Sequence, residues 1–307
     1  MSSCLVSVDW LVSQLGKPNL LVLDVSMDKV IGKEPIIYDE FRCIPGALKL
    51  SLETQLVNLE SDMLHAMPSA AQFSEVIAGL GITASSQVVL YDNQGIYSAP
   101  RAWWIFKAMG FEKVYVLDGG LPQWLSAKQA CETQYCRYDD GPIKSVPHEQ
   151  RNSYQLNSYQ LNTYQLNTYQ LNTYQLASNS VMSAEQLNAA ITNHSVQVID
   201  VRAHERFAGI AQEPRPGVRS GHMPTAINIP FAQFLSGHRL KTCDELQSLF
   251  ATARVTSHQP VVFSCGSGIT ACIGLLAAKV AGLQPLSLYD GSWAQWGSRE
   301  DLPVVTD

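Results

Sequence analysis

Cys265 stands at the start of a loop that has almost no side chains, in the stretch FSCGSGITACIG at residues 263–274. Gly266 and Gly268 let the backbone adopt unusual angles, so that its N–H groups can converge on one point. A helix predicted to begin near Thr270 adds its positive N-terminal end. Both features favour an anion in the loop, and we therefore expect Cys265 to act as a thiolate nucleophile.

The residues around this thiol favour one chemistry over others. A cysteine that only fills the core does not need a Gly-Ser-Gly loop after it, whereas Cys272, inside the following helix, fits that simpler role. A cysteine-dependent phosphatase needs an arginine at the position of Ala271, to clamp the phosphate. Because the loop contains no cation, it favours sulfur transfer through a persulfide on Cys265, and a phosphatase is the least favoured alternative.

Composition and charge exclude several classes of partner. The chain of 307 residues has a net charge of −6 and only 16% charged residues, without a Lys/Arg cluster that would indicate nucleic acid binding. No apolar run is long enough to span a membrane, and the first residues do not resemble a secretory signal. Seven irregularly spaced cysteines without a C-x-x-C pair favour free thiols in the cytoplasm, and they predict no metal site or other cofactor.

A low-complexity tract separates two halves of the chain. Residues 152–176 are five copies of the pentad NSYQL or NTYQL, and this period fits neither a helix nor a strand. We interpret the tract as part of a linker over residues 147–179, between an N-terminal domain (1–146) and a C-terminal domain (180–307). A pentapeptide β-helix is the alternative, but tyrosine occupies the position that needs a small residue.

The two halves contain matching segments in the same order, which indicates a duplicated domain. The pairs are LLVLDVS (20–26) with VQVIDVR (196–202), QVVLYDNQG (87–95) with PVVFSCGSG (260–268), and VYVLDGGLPQW (114–124) with LSLYDGSWAQW (286–296). Short apolar runs alternate with helix-like segments such as SAEQLNAAI, in which Ser183 and Gln186 form a predicted capping box. This order predicts an α/β fold with a parallel β-sheet flanked by helices in each half. Cys265 then lies at the carboxyl end of a strand, where such folds place their functional loops.

Several motifs resemble the tandem-domain rhodanese family. They are the loop at 265–271, YSAPRAWW (97–104), LDGGLPQW (117–124), EPRPGVRSGHMP (213–224) and YDGSWAQWG (289–297). The resemblance covers nearly the whole chain except the pentad tract. It implies two rhodanese-like domains and a sulfurtransferase, in which a Cys265 persulfide passes sulfur to a thiol such as thioredoxin or glutathione, or to cyanide.

The identity of the sulfur donor is also indicated by the resemblance. The uncharged loop is similar to that of family members that use 3-mercaptopyruvate and release pyruvate. Members that use thiosulfate carry basic residues at the positions of Gly266 and Ser267, so thiosulfate is the less favoured donor. A carrier module that receives sulfur from a protein partner is a third possibility, but two arginines that match donor-binding residues of the family, Arg206 and Arg215, disfavour it.

The resemblance implies roles for individual residues. Arg206 and Arg215 match two arginines that bind the carboxylate and ketone of the donor, and guanidinium groups suit planar carboxylates. A proton relay is matched by Ser267, His65 and Glu53. The remaining loop residues expected to surround the substrate are Gly266, Gly268, Ile269 and Thr270.

Two other arginines and the first-domain counterpart of Cys265 are not assigned to the catalytic site. Arg202 and Arg219 are interpreted as surface arginines. The first domain has Asp92 where the second has Cys265, so we expect the first domain to be catalytically silent and to donate side chains across the domain interface.

Overall fold

Two five-stranded parallel sheets form the centres of two domains. The computed structural model describes residues 4–136 and 174–307. The pentad copies up to residue 173, and with them most of the predicted linker, lie outside the described residues. Tyr174, near the end of the tract, packs against Phe73 of the first domain with the ring centroids 5.0 Å apart.

The first domain builds its sheet in the order β1-β5-β4-β2-β3. Its strands are β1 (Leu5–Val6), β2 (Leu20–Asp24), β3 (Leu48–Lys49), β4 (Gln87–Tyr91) and β5 (Val114–Leu117). Its helices are α1 (Val8–Gln14), α2 (Ala70–Gly79), α3 (Ala99–Ala108) and α4 (Gly120–Ser126). Every pairing in the sheet is parallel, and β4 is apolar throughout its buried part because helices cover both faces.

The second domain repeats this sheet in the order β6-β12-β11-β7-β8. Its strands are β6 (Val181–Met182), β7 (Gln197–Asp200), β8 (Ile227–Asn228), β11 (Val261–Ser264) and β12 (Leu286–Tyr289). Its helices are α5 (Ala184–Thr192), α6 (His204–Phe207), α7 (Cys243–Thr252), α8 (Ala271–Ala281) and α9 (Ser292–Trp296). A 3₁₀ turn (Phe231–Phe234) leads into an antiparallel hairpin of β9 (Leu235–Ser236) and β10 (Arg239–Leu240). The predicted α/β class and the duplication are both confirmed.

The predicted capping box at the start of α5 is also confirmed. The Ser183 N–H donates to Gln186 Oε1 at 2.8 Å, and the Gln186 N–H donates to Ser183 Oγ at 3.2 Å. Both donors would otherwise lack a partner at the start of the helix.

Helices α3 and α8 pack against each other where the two domains meet. Helix α8 is buried on nearly every side, which explains its apolar sequence. Gly274 lets α8 lie close to β11, because a Cβ atom there would stand 2.5 Å from the Phe263 ring. This packing fixes the start of α8 beside the end of β11, and the Cys265 loop connects the two. No helix in the described ranges is both long and apolar enough to cross a membrane.

Candidate active site

Cys265 follows the last residue of β11 and is 1% exposed. Its Sγ accepts a hydrogen bond from the Gly268 N–H at 3.1 Å. Its own N–H donates to Ser292 Oγ at 3.2 Å, and its carbonyl accepts from the Trp293 N–H at 2.9 Å. The thiol is therefore held by the start of α9 as well as by its own loop.

One backbone N–H group of the loop, that of Gly268, contacts this sulfur, and neighbouring N–H groups have no protein acceptor among the described residues. Within the described chain, the N–H groups of Gly266, Ser267, Ile269 and Thr270 donate to no other protein atom. Gly268 has φ of 84°, a left-handed angle that suits glycine, and its N–H is the one that reaches Sγ. Together with the N-terminal end of α8, these donors give the loop a positive electrostatic environment, and an anion in the loop stays a prediction.

Cys265 opens into a cavity of about 470 Å³ between the two domains. Nine of the ten residues predicted from the sequence line it: Glu53, His65, Arg206, Arg215, Cys265, Gly266, Ser267, Ile269 and Thr270. The tenth, Gly268, lies behind them and contacts the thiol directly. Residues separated by two hundred positions in the chain are thus brought to one space.

Arg206 extends from α6 over the Cys265 loop. A Cβ atom on Gly266 would stand 3.3 Å from its Nη2, a tight contact, so the guanidinium lies directly against the backbone of the loop. Glu213 holds the guanidinium from the other side, accepting from Nε at 3.1 Å and also from Nη2. Arg206 remains partly exposed to the cavity, with 19% of its side-chain surface accessible.

Arg202 is buried, so its interpretation as a surface arginine is wrong. Its guanidinium donates to both carboxylate oxygens of Asp200, to Glu213 and to a backbone carbonyl. It also lies 4.2 Å from the ring centroid of Trp293, a cation–π contact. Arg219 is half-buried and donates to carbonyls near the C-terminus, so it is not a simple surface residue either.

Arg215 has a different environment from Arg202 and Arg206. It lines the cavity half-buried, and it forms no ion pair with any residue of the described chain. Asp200 and Glu213 together balance the charges of Arg202 and Arg206, whereas no carboxylate of the described residues lies within ion-pair distance of Arg215. A cavity with such a charge favours an anionic ligand.

His65 enters the cavity from the first domain. Burial lowers the pKa of His65 below its usual 6.5, and the positive charges of Arg101 and Arg215 lower it further. A hydrogen bond with the backbone of Ser267 and the carboxylate of Glu53 act in the opposite direction. The ring is therefore neutral at pH 7 and lies within hydrogen-bond reach of the Ser267 backbone. Its Nδ1 is buried without a partner among the described residues.

The structure adds residues that the sequence alone did not single out. Tyr97 lines the cavity from the first domain, and Arg101 reaches from α3 to the back of the Cys265 loop. Both occur in the motif YSAPRAWW, which was the available signal. Asp290, in YDGSWAQWG, accepts a hydrogen bond through Oδ1 from Arg101 Nη1 at 2.8 Å.

The matching loop of the first domain contains its own anion. Asp92 is fully buried, and its carboxylate accepts from the N–H groups of Gln94, Tyr97, Ser98 and Ala99 at 2.8–3.0 Å. Burial raises the pKa of Asp92, and the four hydrogen bonds act against that rise. In the second domain the thiol of Cys265 accepts from the Gly268 N–H at the matching place, whereas here a carboxylate accepts from four N–H groups.

Comparisons with known proteins agree with this architecture. A family model described as "Rhodanese-like domain" matches residues 7–127 and 183–299. The chain is 36% identical to 3-mercaptopyruvate sulfurtransferase of Homo sapiens, over 96% of this chain and 92% of that protein. It is 35% identical to thiosulfate/3-mercaptopyruvate sulfurtransferase 1, mitochondrial, of Arabidopsis thaliana, over 99% and 78% of the two chains. The crystal structure of SseA from Escherichia coli, a 3-mercaptopyruvate sulfotransferase, aligns with a TM-score of 0.73 at 28% identity, over 95% of this chain and 99% of that one. The chain therefore belongs to the rhodanese family and is a sulfurtransferase built from two tandem rhodanese-like domains.

Proposed function

We propose that this enzyme moves sulfane sulfur from 3-mercaptopyruvate to a thiol or cyanide acceptor through a persulfide on Cys265, releasing pyruvate. The observation that carries the proposal is the cavity itself. Its lining includes the Cys265 thiol, loop residues whose N–H groups have no protein acceptor, and Arg215, which forms no ion pair in the described chain, and these features support the proposal. A small carboxylate that bears a sulfur atom fits this combination of groups.

The proposed reaction has two covalent stages. The Cys265 thiolate attacks the sulfur of 3-mercaptopyruvate, an S–S bond forms, and the C–S bond breaks with its electrons passing to the enolate of pyruvate. The acceptor then attacks the outer sulfur and regenerates the Cys265 thiolate. Such a mechanism gives ping-pong kinetics.

Charges in the cavity support the first stage. Arg206 and Arg215 bind the carboxylate and the ketone, and their charge stabilises the enolate as it forms. The N–H groups of Gly266, Ser267, Ile269 and Thr270, with that of Gly268 on Sγ, stabilise the negative charge of the persulfide. The loop thus serves both the nucleophile and the intermediate.

A proton must also move from the donor thiol to the carbon of pyruvate. Neutral His65 is able to accept it. We assign the Ser267 hydroxyl as the carrier between substrate and ring, and Glu53 as the group that stabilises the charged ring, because all three residues line the cavity. The thiol proton of the substrate becomes a methyl proton of the product, so this stage needs no exchange with solvent.

The first domain is proposed to be catalytically silent, because Asp92 supplies no nucleophile and already satisfies its loop. Its contribution to catalysis is the wall of the cavity that carries Glu53, His65 and Tyr97. The proposed division remains a first domain at 1–146, a linker at 147–179 and a catalytic domain at 180–307. Thioredoxin or glutathione are the proposed thiol acceptors.

A comparison of donors tests the proposed function. With cyanide as acceptor, we expect kcat/KM for 3-mercaptopyruvate to exceed that for thiosulfate by at least about tenfold, since the donors differ in the carboxylate that Arg215 is placed to bind. Thiocyanate formation is the readout, and enzyme alkylated at Cys265 is the blank. A preference for thiosulfate would contradict the donor assignment. If neither donor is active while a protein persulfide loads Cys265, the enzyme is a sulfur carrier instead.

The lowered pKa of His65 leads to a pH prediction. Since burial keeps the ring neutral to below pH 6.5, kcat/KM for 3-mercaptopyruvate should be nearly constant just above that pH and should fall only at lower pH, as the ring gains a proton. The His65→Gln variant cannot titrate at this position and should lose that acidic limb. An identical acidic limb in wild type and variant would assign it to another group.

A further inference from the structure

We propose that Arg101 and Asp290 form a positioning pair across the domain interface, which aligns the loop bearing His65 with the loop bearing Cys265. The inference rests on the proposed function, because its effect is measured on transfer from 3-mercaptopyruvate. Neither residue lines the cavity or touches the substrate space. Their effect on the reaction must therefore act through the residues that they hold.

Arg101 belongs to the first domain but makes its contacts with both loops. Its side chain is 1% exposed. One arm, Nη1, donates to Asp290 Oδ1 at 2.8 Å and lies 3.5 Å from the carbonyl oxygen of Gly268. The other arm, Nη2, donates to the carbonyl oxygen of His65 at 2.5 Å. A single rigid guanidinium thus spans from the Cys265 loop to the His65 backbone.

Asp290 completes the arrangement from the second domain. Its Oδ1 accepts from Arg101, and its Oδ2 accepts from the Met67 N–H at 2.7 Å. Met67 is two residues after His65, so the loop of the first domain is held at two points by one ion pair. The carboxylate is also buried, with 5% of its side-chain surface exposed, which makes both contacts strong.

Both held loops have backbone features that require support. His65 has φ of 55°, a left-handed angle that costs energy for a residue with a side chain, and its carbonyl is the one that Arg101 binds. The Gly268 N–H donates to Cys265 Sγ, and the carbonyl of the same residue faces Arg101. A shift of the pair would therefore move the His65 ring and the donor on the sulfur relative to each other.

The duplicated fold supplies a control at the corresponding position of the first domain, in an ion pair whose arginine is 55% exposed. Asp118 occupies the position in the first domain that Asp290 occupies in the second. It accepts from Arg239 Nε at 2.7 Å and from the Leu240 N–H at 3.0 Å, both from the second domain. That pair lies beside the Asp92 loop, where the carbonyl of His238 would be 2.7 Å from a Cβ on Gly95. It joins the domains without approaching Cys265.

The experiment compares Asp290→Asn with Asp118→Asn in the full-length enzyme. The side-chain oxygen of asparagine can accept one of the two hydrogen bonds that Asp290 accepts. Its NH₂ group is a donor and would face the second donor, either Arg101 Nη1 or the Met67 N–H, so that this hydrogen bond is lost. We expect Asp290→Asn to lower kcat for 3-mercaptopyruvate roughly tenfold, because misaligned groups slow chemistry more than binding. KM should change little, and Asp118→Asn should leave kcat within about twofold of wild type. Equal kcat losses in both variants, or a loss confined to KM, would overturn the proposal.

A double variant separates alignment from folding. Removing one partner of a buried ion pair leaves an unpaired charge, whereas replacing both by apolar residues of similar volume is often tolerated. Arg101→Met/Asp290→Leu leaves no unpaired charge, so it should melt at a higher temperature than Asp290→Leu alone and still show the reduced kcat. Recovery of wild-type kcat in this double variant would contradict a positioning role. If wild-type enzyme itself fails to use 3-mercaptopyruvate, it is the proposed function that fails, and the same comparison is then made with the donor that is active.

Discussion

Replacing Cys265 by serine should reduce sulfur transfer by at least about a thousandfold, whichever donor is used. A hydroxyl cannot form a persulfide, and no other thiol lines the cavity among the described residues. The measurement is thiocyanate formation together with the intact mass of enzyme treated with donor alone. Wild type should gain the mass of one sulfur atom, and the variant should gain none.

Cys272→Ser is the matched control for this experiment. Cys272 is equally buried, its Sγ donates to the Gly268 carbonyl at 3.4 Å, and burial raises the pKa of its thiol to about 12. A thiol in this state is a poor nucleophile, so its removal should leave the sulfur adduct intact. An adduct that survives in Cys265→Ser but disappears in Cys272→Ser would reverse the assignment.

The second large effect is expected at Arg215. Arg215→Gln removes a guanidinium that has no ionic partner in the described chain, so the loss falls on the substrate and not on an internal ion pair. A charge-assisted contact of this kind is worth roughly 1.5–3 kcal/mol, so we expect kcat/KM for 3-mercaptopyruvate to fall between about tenfold and a hundredfold. Initial rates at varied donor concentration measure this change.

Two further variants distinguish a specific contact from a general charge effect. Lys29 also lines the cavity and is exposed. Lys29→Gln therefore removes a positive charge from the cavity but leaves the guanidinium of Arg215 in place. We expect a smaller loss there, and Arg215→Lys should recover only part of the wild-type value. Losses of equal size in Lys29→Gln and Arg215→Gln would show that the cavity acts through its net charge alone.

The sequence predicts the sheets well because their signals are local. Continuous apolar runs such as VVLY and VVFS mark strands that are covered on both faces, and the duplicated order fixes which strands correspond. The place of Cys265 follows from the rule that functional loops occupy the carboxyl ends of parallel strands. These inferences need only neighbouring residues and the internal repeat.

The contacts across the domain interface could not be predicted in the same way. Arg101 and Asp290 are 189 positions apart, and nothing in either motif specifies that they meet. Arg202 was misinterpreted because burial of an arginine depends on distant partners, here Glu213 and Trp293 as well as Asp200. The resemblance named Arg206 and Arg215, but only the structure distinguishes the one that Glu213 holds from the one without an ionic partner.

The carboxylate of Asp92 has a consequence for how a duplicated enzyme divides its labour. The first copy encodes in its own sequence the negative charge that its loop requires, so that loop is complete as soon as the chain folds. Under the proposed function, the second copy has a cysteine thiolate at the same point, which supplies a negative charge and can also bind a sulfur atom. At matching positions the chain therefore has a carboxylate, which cannot accept sulfur, and a thiol, which can, so the proposed reaction uses one of the two loops and leaves the other as a structural copy.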